Sequence, residues 1–275
     1  TTQTIYADTA GTYSVTVGNG TPVSNNNSLS FDGVDDYIDI SQPISGPSNS
    51  FTISFWIKFN DLTKNSIILD RPTLTNNIWS ITYQTSTNSI HFMSRDDDNN
   101  NYNNYTSFSP FEDKWYHITT QRENGLSKRM YVNGQLEYAS VNDLNNILTL
   151  PDIKIGLGPD GINDGDFIFD DIQIWNTALT QSEIRQYMTS PPNGNEAGLI
   201  GYWNFNEGNG VLANDLTGNG NNGTIHGASW SSDAPAQYFN NCTVTDDVVI
   251  TVNPLPTLDA GTDQTICLGS SAILN

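Results

Sequence analysis

The segment Phe51-Thr52-Ile53-Ser54-Phe55-Trp56-Ile57-Lys58-Phe59 sets an apolar residue at every second position along its length. Side chains of a strand alternate between faces, so Phe51, Ile53, Phe55, Ile57 and Phe59 share one side while Thr52, Ser54, Trp56 and Lys58 share the other. A helix would scatter the same apolar residues around its axis. The segment is therefore a strand with one face in a core, and its surroundings must supply a second layer. Further short runs read as strands at Ser66 to Leu69, Ile78 to Gln84, Ser89 to Ser94, Lys114 to Gln121, Arg129 to Val132, Ile153 to Gly156, Phe167 to Trp175, Leu199 to Phe205 and Asn222 to His226. Asn133-Gly134 suits a type I′ hairpin. One helix is expected, where Thr180-Gln181-Ser182-Glu183 forms a capping box ahead of Ile184, Tyr187 and Met188 at helical spacing. The reading is an all-β fold: a two-sheet antiparallel jelly-roll sandwich with one short helix.

Composition narrows the partners. The 275 residues carry 30 acidic against 10 basic side chains, a net charge of -20. Only six acids are Glu and 24 are Asp; Asp favours turns and loops, which excludes a helical bundle and agrees with strands joined by polar loops. So negative a chain repels nucleic acid and anionic membrane and attracts cations. With 36% apolar residues it can build a real core, in one large or two small domains. No apolar run is long enough to span a bilayer. The chain opens at Thr1-Thr2 without Met or a signal peptide, so it is expected to be a piece of a longer protein. Cys242 and Cys267 have no His or Cys at zinc-ligand spacing, which favours disulfides and an oxidising compartment.

The two ends differ in texture from the middle. Gly11-Thr12-Tyr13-Ser14-Val15-Thr16-Val17 near the start and Asp246-Asp247-Val248-Val249-Ile250-Thr251-Val252 near the end read as strands, the latter closed by Asn253-Pro254-Leu255-Pro256. The phrases "ADTAGTYSVTV", "CTVTDDVVITVNPLP" and "TLDAGTDQTICLGSSAILN" resemble the Ig-like or PKD-like repeats strung along very large surface proteins of gliding and marine Bacteroidetes. The resemblance implies that residues 1–20 hold the penultimate strand of one such repeat, 238–256 its last strand and linker, and 257–275 the start of the next. Residues 21–237 would then be an insertion in the hairpin between the two strands, a tolerated place for one. It also implies that Cys242 and Cys267 belong to different repeats with partners outside the chain; pairing of the two with each other stays open.

The central zone carries a second resemblance. "SLSFDGVDDYIDI" (28–40), "FTISFWIKF" (51–59), "DKWYHITTQR" (113–122), "MYVNGQL" (130–136), "IKIGLGPDG" (153–161), "FDDIQIWNTALTQSEIRQY" (169–187) and "LIGYWNFNEGNG" with "DLTGNGNNGTIHG" (199–227) resemble laminin-G-like, concanavalin-A-like jelly rolls of the bacterial type, related to the pentraxins. One element is displaced: "YWNF…GNGNNGT", often at the start of such domains, stands at the end. A closed sandwich tolerates that rearrangement.

Catalysis finds little support. Glycoside hydrolysis needs two flanking carboxylates, in this fold commonly Glu-x-Asp-x-x-Glu, and no such pattern occurs. Asp166, Asp170 and Asp171 come closest, with Asp170 and Asp171 expected on opposite sheet faces. His117, in "WYHI", reads as a structural histidine. Calcium is the expected cofactor, because it takes six to eight oxygen ligands of the kind these loops supply. The resemblance to pentraxins implies ligation by Asp160, Asp164 and Asp166, with Asn76 and Asn77 from an earlier loop; Leu157, Gly158 and Pro159 replace the family's polar residues, so one ion rather than two is expected. Asp215 with the following "TGNGNN" turn is a second candidate ligand, equally readable as a Gly-Asn turn. Asp32, Asp35 and Asp36 read as turn chemistry. For ligand contact, Tyr102 and Tyr105 in an Asn-rich loop, with Trp79 and Tyr83, offer aromatic faces amid amides, as sugar recognition needs. Trp56, Trp115 and Trp203 are expected to pack.

The functional expectation is a non-catalytic adhesion or recognition module of a secreted or cell-surface protein, binding glycans or another surface with calcium. The alternative is a structural module decorating a large surface fibre through self-association.

Overall fold

The computed structural model describes residues 11–18, 21–22, 25–40, 50–70, 78–95, 101–123, 127–140, 153–157, 165–239 and 243–250. The chain divides into two compact units, one of Thr1–Asn19 with Asn241–Asn275, the other of Gly20–Asn240. In the first, β1 (Gly11–Gly18) pairs antiparallel with β20 (Thr243–Ile250), Gly11 opposite Ile250 and Gly18 opposite Thr243. Cys242 and Cys267 lie outside the described residues.

The second unit is a sandwich of two antiparallel sheets. One holds β3 (Ser28–Asp32), β5 (Phe51–Phe59), β10 (Trp115–Glu123), β11 (Ser127–Val132), β12 (Gln135–Ala139), β14 (Asp166–Trp175), β15 (Leu199–Trp203) and β18 (Ser229–Ser231). Its order is β12-β11-β10-β5-β14-β3-β18, with β15 also on β14. The other holds β4 (Tyr37–Ile40), β6 (Ser66–Asp70), β7 (Ile78–Gln84), β8 (Ser89–Arg95), β9 (Asn101–Tyr105), β13 (Ile153–Ile155), β16 (Leu212–Ala213) and β17 (Gly223–His226), ordered β16-β17-β4-β13-β6-β7-β8-β9. A short pair, β2 (Thr21–Pro22) and β19 (Tyr238–Phe239), joins the two ends of the unit. The displaced "LIGYW" and "GTIH" elements are β15 and β17, which join the sheets beside β14 and β4.

The core lies between the sheets. Phe51, Ile53, Phe55, Ile57 and Phe59 are all fully buried, as the alternation requires, each contributing roughly 1.5–3 kcal/mol of burial. They face Ile38, Ile40, Leu69, Ile81, Ile90, Phe92 and Ile155 of the second sheet within one apolar cluster. The Asn133-Gly134 turn has φ of 49° and 70°, the positive pair that a two-residue type I′ hairpin needs. The helix α1 (Gln181–Thr189) begins at the expected capping box on Thr180 and Glu183. It buries Ile184 with Tyr131, Trp175, Leu179, Leu199 and Tyr202 in a second cluster on the outer side of the first sheet.

Two expectations need correction here. The Tyr102–Tyr105 stretch is not a loop but part of β9, paired along β8 at the sheet edge; ladder bonds there outweigh the weak strand propensity of Asn. Asp170 and Asp171 do not lie on opposite faces. The register against β5 shifts between Asp170 and Gln173, and Asp171 has φ of 53°. This bulge breaks the period of two, so both carboxylates reach the outer side of the first sheet.

Candidate functional site

Strand register gathers the acidic connections at one end of the sandwich. Asp166 stands opposite Asp32, Phe167 opposite Phe59 and Trp115 opposite Lys58. The β3–β4 connection between the two sheets, the segment after β5, the segment before β10 and the start of β14 therefore share that end. They bring Asp32, Asp35, Asp36, Asp61, Glu112, Asp113 and Asp166, against Lys64 and Lys114.

A cleft of about 550 Å³ opens there, lined by Leu62, Thr63, Tyr83, Asn88, Phe111 and Glu112 among others. Its walls come from three connections, after β5, after β7 and before β10, and hydrogen bonds brace them together. Leu62 N donates to Glu112 Oε1 at 2.9 Å, linking the first to the third. The Tyr83 hydroxyl donates to Asn88 Oδ1 at 2.9 Å and lies 3.2 Å from Leu62 O. Thr85 N donates to Asn65 Oδ1 at 2.9 Å, and Phe111 N to the Tyr116 hydroxyl at 3.1 Å. Within this braced frame Phe111 is 65% exposed, an aromatic face held toward solvent with Lys114 Nζ 4.8 Å from its centroid. An apolar ring flanked by Thr, Asn and Ser side chains and one carboxylate can stack a ring-shaped polar ligand and satisfy its hydroxyls.

A second hollow, of about 350 Å³, lies on the outer face of the second sheet against Asp70, Ser80, Thr82, Gln84, His91 and Met93. Ser80 Oγ donates to Asp70 Oδ2 at 2.9 Å, and His91 Nε2 lies 2.6 Å from Thr87 Oγ1. Burial holds the His91 pKa below its usual value. Neighbouring β9 sets Tyr105 opposite His91 and Asn103 opposite Met93. Among the described residues, each hollow has a single carboxylate in its lining, Glu112 in one and Asp70 in the other.

The expected site residues fare differently. Trp79 is a correction: it is 2% exposed, its ring 4.7 Å from that of Phe51, and its Nε1 donates to Thr120 Oγ1 at 3.0 Å, so it belongs to the core. Tyr83 is buried as a ring and meets the cleft with its hydroxyl. Tyr102 and Tyr105 sit in β9, but their side chains lie outside the description, as do Asn76, Asn77, Asp160 and Asp164. Asp166 stands at the acidic end and accepts from Asn60 Nδ2 at 2.8 Å. Asp215 carries the hydrogen bonds of the turn reading. Its Oδ1 accepts from Tyr202 N, Thr217 N and Thr217 Oγ1 at 3.2, 3.0 and 2.7 Å, and its Oδ2 from Asn221 N at 3.1 Å. With these bonds it pins the "TGNGNN" turn. Asp32, Asp35 and Asp36 cluster within 4.8 Å, yet Asp36 Oδ2 accepts from Asp32 N at 2.8 Å and Asp32 Oδ1 from Val34 N at 2.9 Å, the bonding of a turn. Burial nonetheless raises the Asp36 pKa. His117 is structural in position: fully buried, edge-on to Trp56 at 5.2 Å, its pKa lowered by burial to about 3, so it stays neutral.

Phe111, Glu112, Leu62, Thr63 and Asn88 were not singled out by the sequence. The one available signal was Pro110-Phe111-Glu112, an aromatic beside an acid in a stretch without strand alternation.

Comparison with known proteins bears on the fold. The Laminin_G_3 profile, described as the concanavalin A-like lectin/glucanases superfamily, matches residues 32–185. No curated protein sequence matches the chain. Among solved structures, a protein of Bacteroides ovatus ATCC 8483 proposed to bind carbohydrate superposes with a TM-score of 0.62 at 18% identity, over 78% of this chain and 62% of that one. The chain thus spans less than two thirds of that protein's length. The heptameric SAP-like pentraxin of Limulus polyphemus superposes with a TM-score of 0.53 at 16% identity, over 80% of this chain and 100% of that one. At such identities the likeness is one of fold. Profile match, two-sheet topology and superposition agree: the chain belongs to the Laminin_G_3 family of the concanavalin A-like lectin/glucanase superfamily.

Proposed function

We propose that this chain is a non-catalytic recognition module that binds glycans, or another polyhydroxylated surface, at the acidic end of its sandwich. The observation that carries the reading is the braced cleft: Phe111 is held 65% exposed among hydroxyl and amide side chains. Stacking on such a face plus a few fixed polar groups is how proteins grip sugars without covalent chemistry. A single carboxylate in the cleft lining suits binding rather than hydrolysis, which needs a pair. The carbohydrate-binding assignment proposed for the Bacteroides ovatus protein points the same way.

Calcium enters the proposal through the same end. Asp166 closes the segment that contains Asp160 and Asp164, and one ion held there would offset the acidic rim and offer open positions to ligand hydroxyls. The module is displayed outside the cell, carried by the repeat to which β1 and β20 belong.

A glycan array probed with the full chain, with and without EDTA, tests the reading. The expected result is selective binding that EDTA abolishes and that Phe111→Ala weakens at least tenfold while the protein stays folded. Uniform absence of binding across the array removes the glycan reading. Hydrolysis of any polysaccharide that Asp166→Ala eliminates overturns the non-catalytic one.

A further inference from the structure

The outer side of the first sheet hides a second acidic site, unrelated to the end cleft. Asp170 and Asp171 are both fully buried, held side by side by the bulge in β14. Neither has a lysine or arginine acting on it among the described residues. Burial and the neighbouring carboxylate push Asp170 well above the usual carboxylate range, and burial raises Asp171 to about 6. Two ionised carboxylates in such a place need a positive partner, because the desolvation cost of each is several kcal/mol.

The surrounding amides show where that partner would fit. Asn25 Nδ2 donates to Asp170 Oδ2 at 2.7 Å and to Pro235 O at 3.1 Å. Gln173 Nε2 donates to Asp171 Oδ2 at 3.1 Å and to Tyr187 O at 3.3 Å. Both amide nitrogens face acceptors only, so neither amide can be flipped without losing its bonds. Their carbonyl oxygens, Asn25 Oδ1 and Gln173 Oε1, are consequently left buried beside the carboxylates with no hydrogen-bond partner, and Gln173 is fully buried. The Tyr202 hydroxyl is directed at Asp171 and favours its charge, yet Asp171 Oδ1 makes no well-aligned hydrogen bond. Buried oxygens without donors, beside two carboxylates, are the donor set of a hard cation.

We propose that Asp170, Asp171, Gln173 and Asn25 hold one buried calcium-class cation on the outer side of the first sheet. The dication matches the two carboxylates, and calcium accepts the mixed carboxylate and amide ligands that magnesium, with its strict octahedral geometry and firmly held waters, does not. Its remaining positions are filled by water. Trp56 Nε1 and His117 Nε2, unpartnered on the same face, can bond to such water. The position has a structural consequence. Asn25 lies where the chain enters the second unit, and Gln237, which donates to Asp171 Oδ2 at 2.8 Å, lies where it leaves. The ion would clasp both segments to one strand.

Calcium titration of the EDTA-treated full chain by calorimetry tests this, with terbium luminescence excited through tryptophan as a second reading. The expected result is a site that Asp166→Asn leaves within twofold in Kd, that Asp171→Asn abolishes and that Asn25→Ala weakens roughly tenfold or more. Should Asp171→Asn fail to fold, Asn25→Ala decides, since it keeps both carboxylates. The proposal is overturned if the unaltered chain binds no calcium, or if its only site is lost in Asp166→Asn. Unchanged binding in Asn25→Ala overturns it too, as does a Tm that rises in Asp171→Asn both with and without calcium. That last outcome would mean a shared proton occupies the pair. Loss of glycan binding alone bears on the end cleft and leaves this site untouched.

Discussion

Aspartates do opposite work in two regions of this molecule. At the end of the sandwich Asp32, Asp35 and Asp61 face solvent or cap turns, and water screens whatever repulsion they feel. On the outer side of the first sheet, Asp170 and Asp171 are sealed from water and held by amides. The same residue type is nearly free to place in the first region and costly in the second. A net charge of -20 therefore conceals two separate energetic problems. The first concerns what the protein attracts; the second, what it needs in order to fold.

Substitutions can break or sharpen that contrast. The largest loss is expected outside both regions, and it calibrates the rest: Trp79→Ala removes a core indole and should cost about 3–5 kcal/mol in urea unfolding. Asp171→Ala, measured in calcium, should cost about 3 kcal/mol, because it strips a buried network of its charge, takes from Gln237 the carboxylate it donates to and leaves Gln173 with Tyr187 O alone. A loss below 1 kcal/mol would place Asp171 with the exposed acids and erase the distinction.

Acid should pull the buried layer in two directions. His117 has a folded pKa near 3, below its unfolded value, so the folded state binds fewer protons than the unfolded one between about pH 6.5 and 3. Stability falls as pH drops through that window, by on the order of 2 kcal/mol at pH 5. Asp171 has the opposite sign. Its folded pKa near 6 lies above the unfolded value, so without calcium it stabilises the protein as pH falls from about 6 to 4. Urea unfolding of His117→Gln across this range should lose the first slope, and Asp171→Asn the second. Calcium should suppress the Asp171 slope in the unaltered protein, since a bound ion keeps the carboxylate ionised.

Smaller effects follow. Asp215→Ala should cost about 1–2 kcal/mol by freeing the buried backbone N–H groups of Tyr202 and Asn221. Asp35→Ala and Phe111→Ala should each change stability by less than about 0.5 kcal/mol. Phe111→Ala should still lose ligand binding, which separates a binding role from a structural one.

Much of the architecture was legible from short-range pattern. The alternation of Phe51–Phe59, the Thr180–Glu183 capping box and the Asn133-Gly134 turn each carry their structure within a few residues, and each stands where the pattern put it. β9 escaped because its stability comes from pairing with β8 and not from its own Asn-rich composition. Trp79 was misjudged for a related reason: an indole beside polar residues reads equally as platform or core until Phe51 and Phe92 are seen to enclose it. The end cleft was illegible because its lining comes from three connections far apart in the chain.

By itself, then, the sequence determined a sandwich of many short strands, the apolar face of its central strand, its one helix and a surplus of aspartate. Those follow from periodicity, capping and composition, which act over a few residues. Only the tertiary structure decided which aspartates would meet water. Register set Asp166 opposite Asp32 at an open end, and a single bulge turned Asp170 and Asp171 onto one buried face. Such placements depend on strands distant in the chain, so no local pattern encodes them.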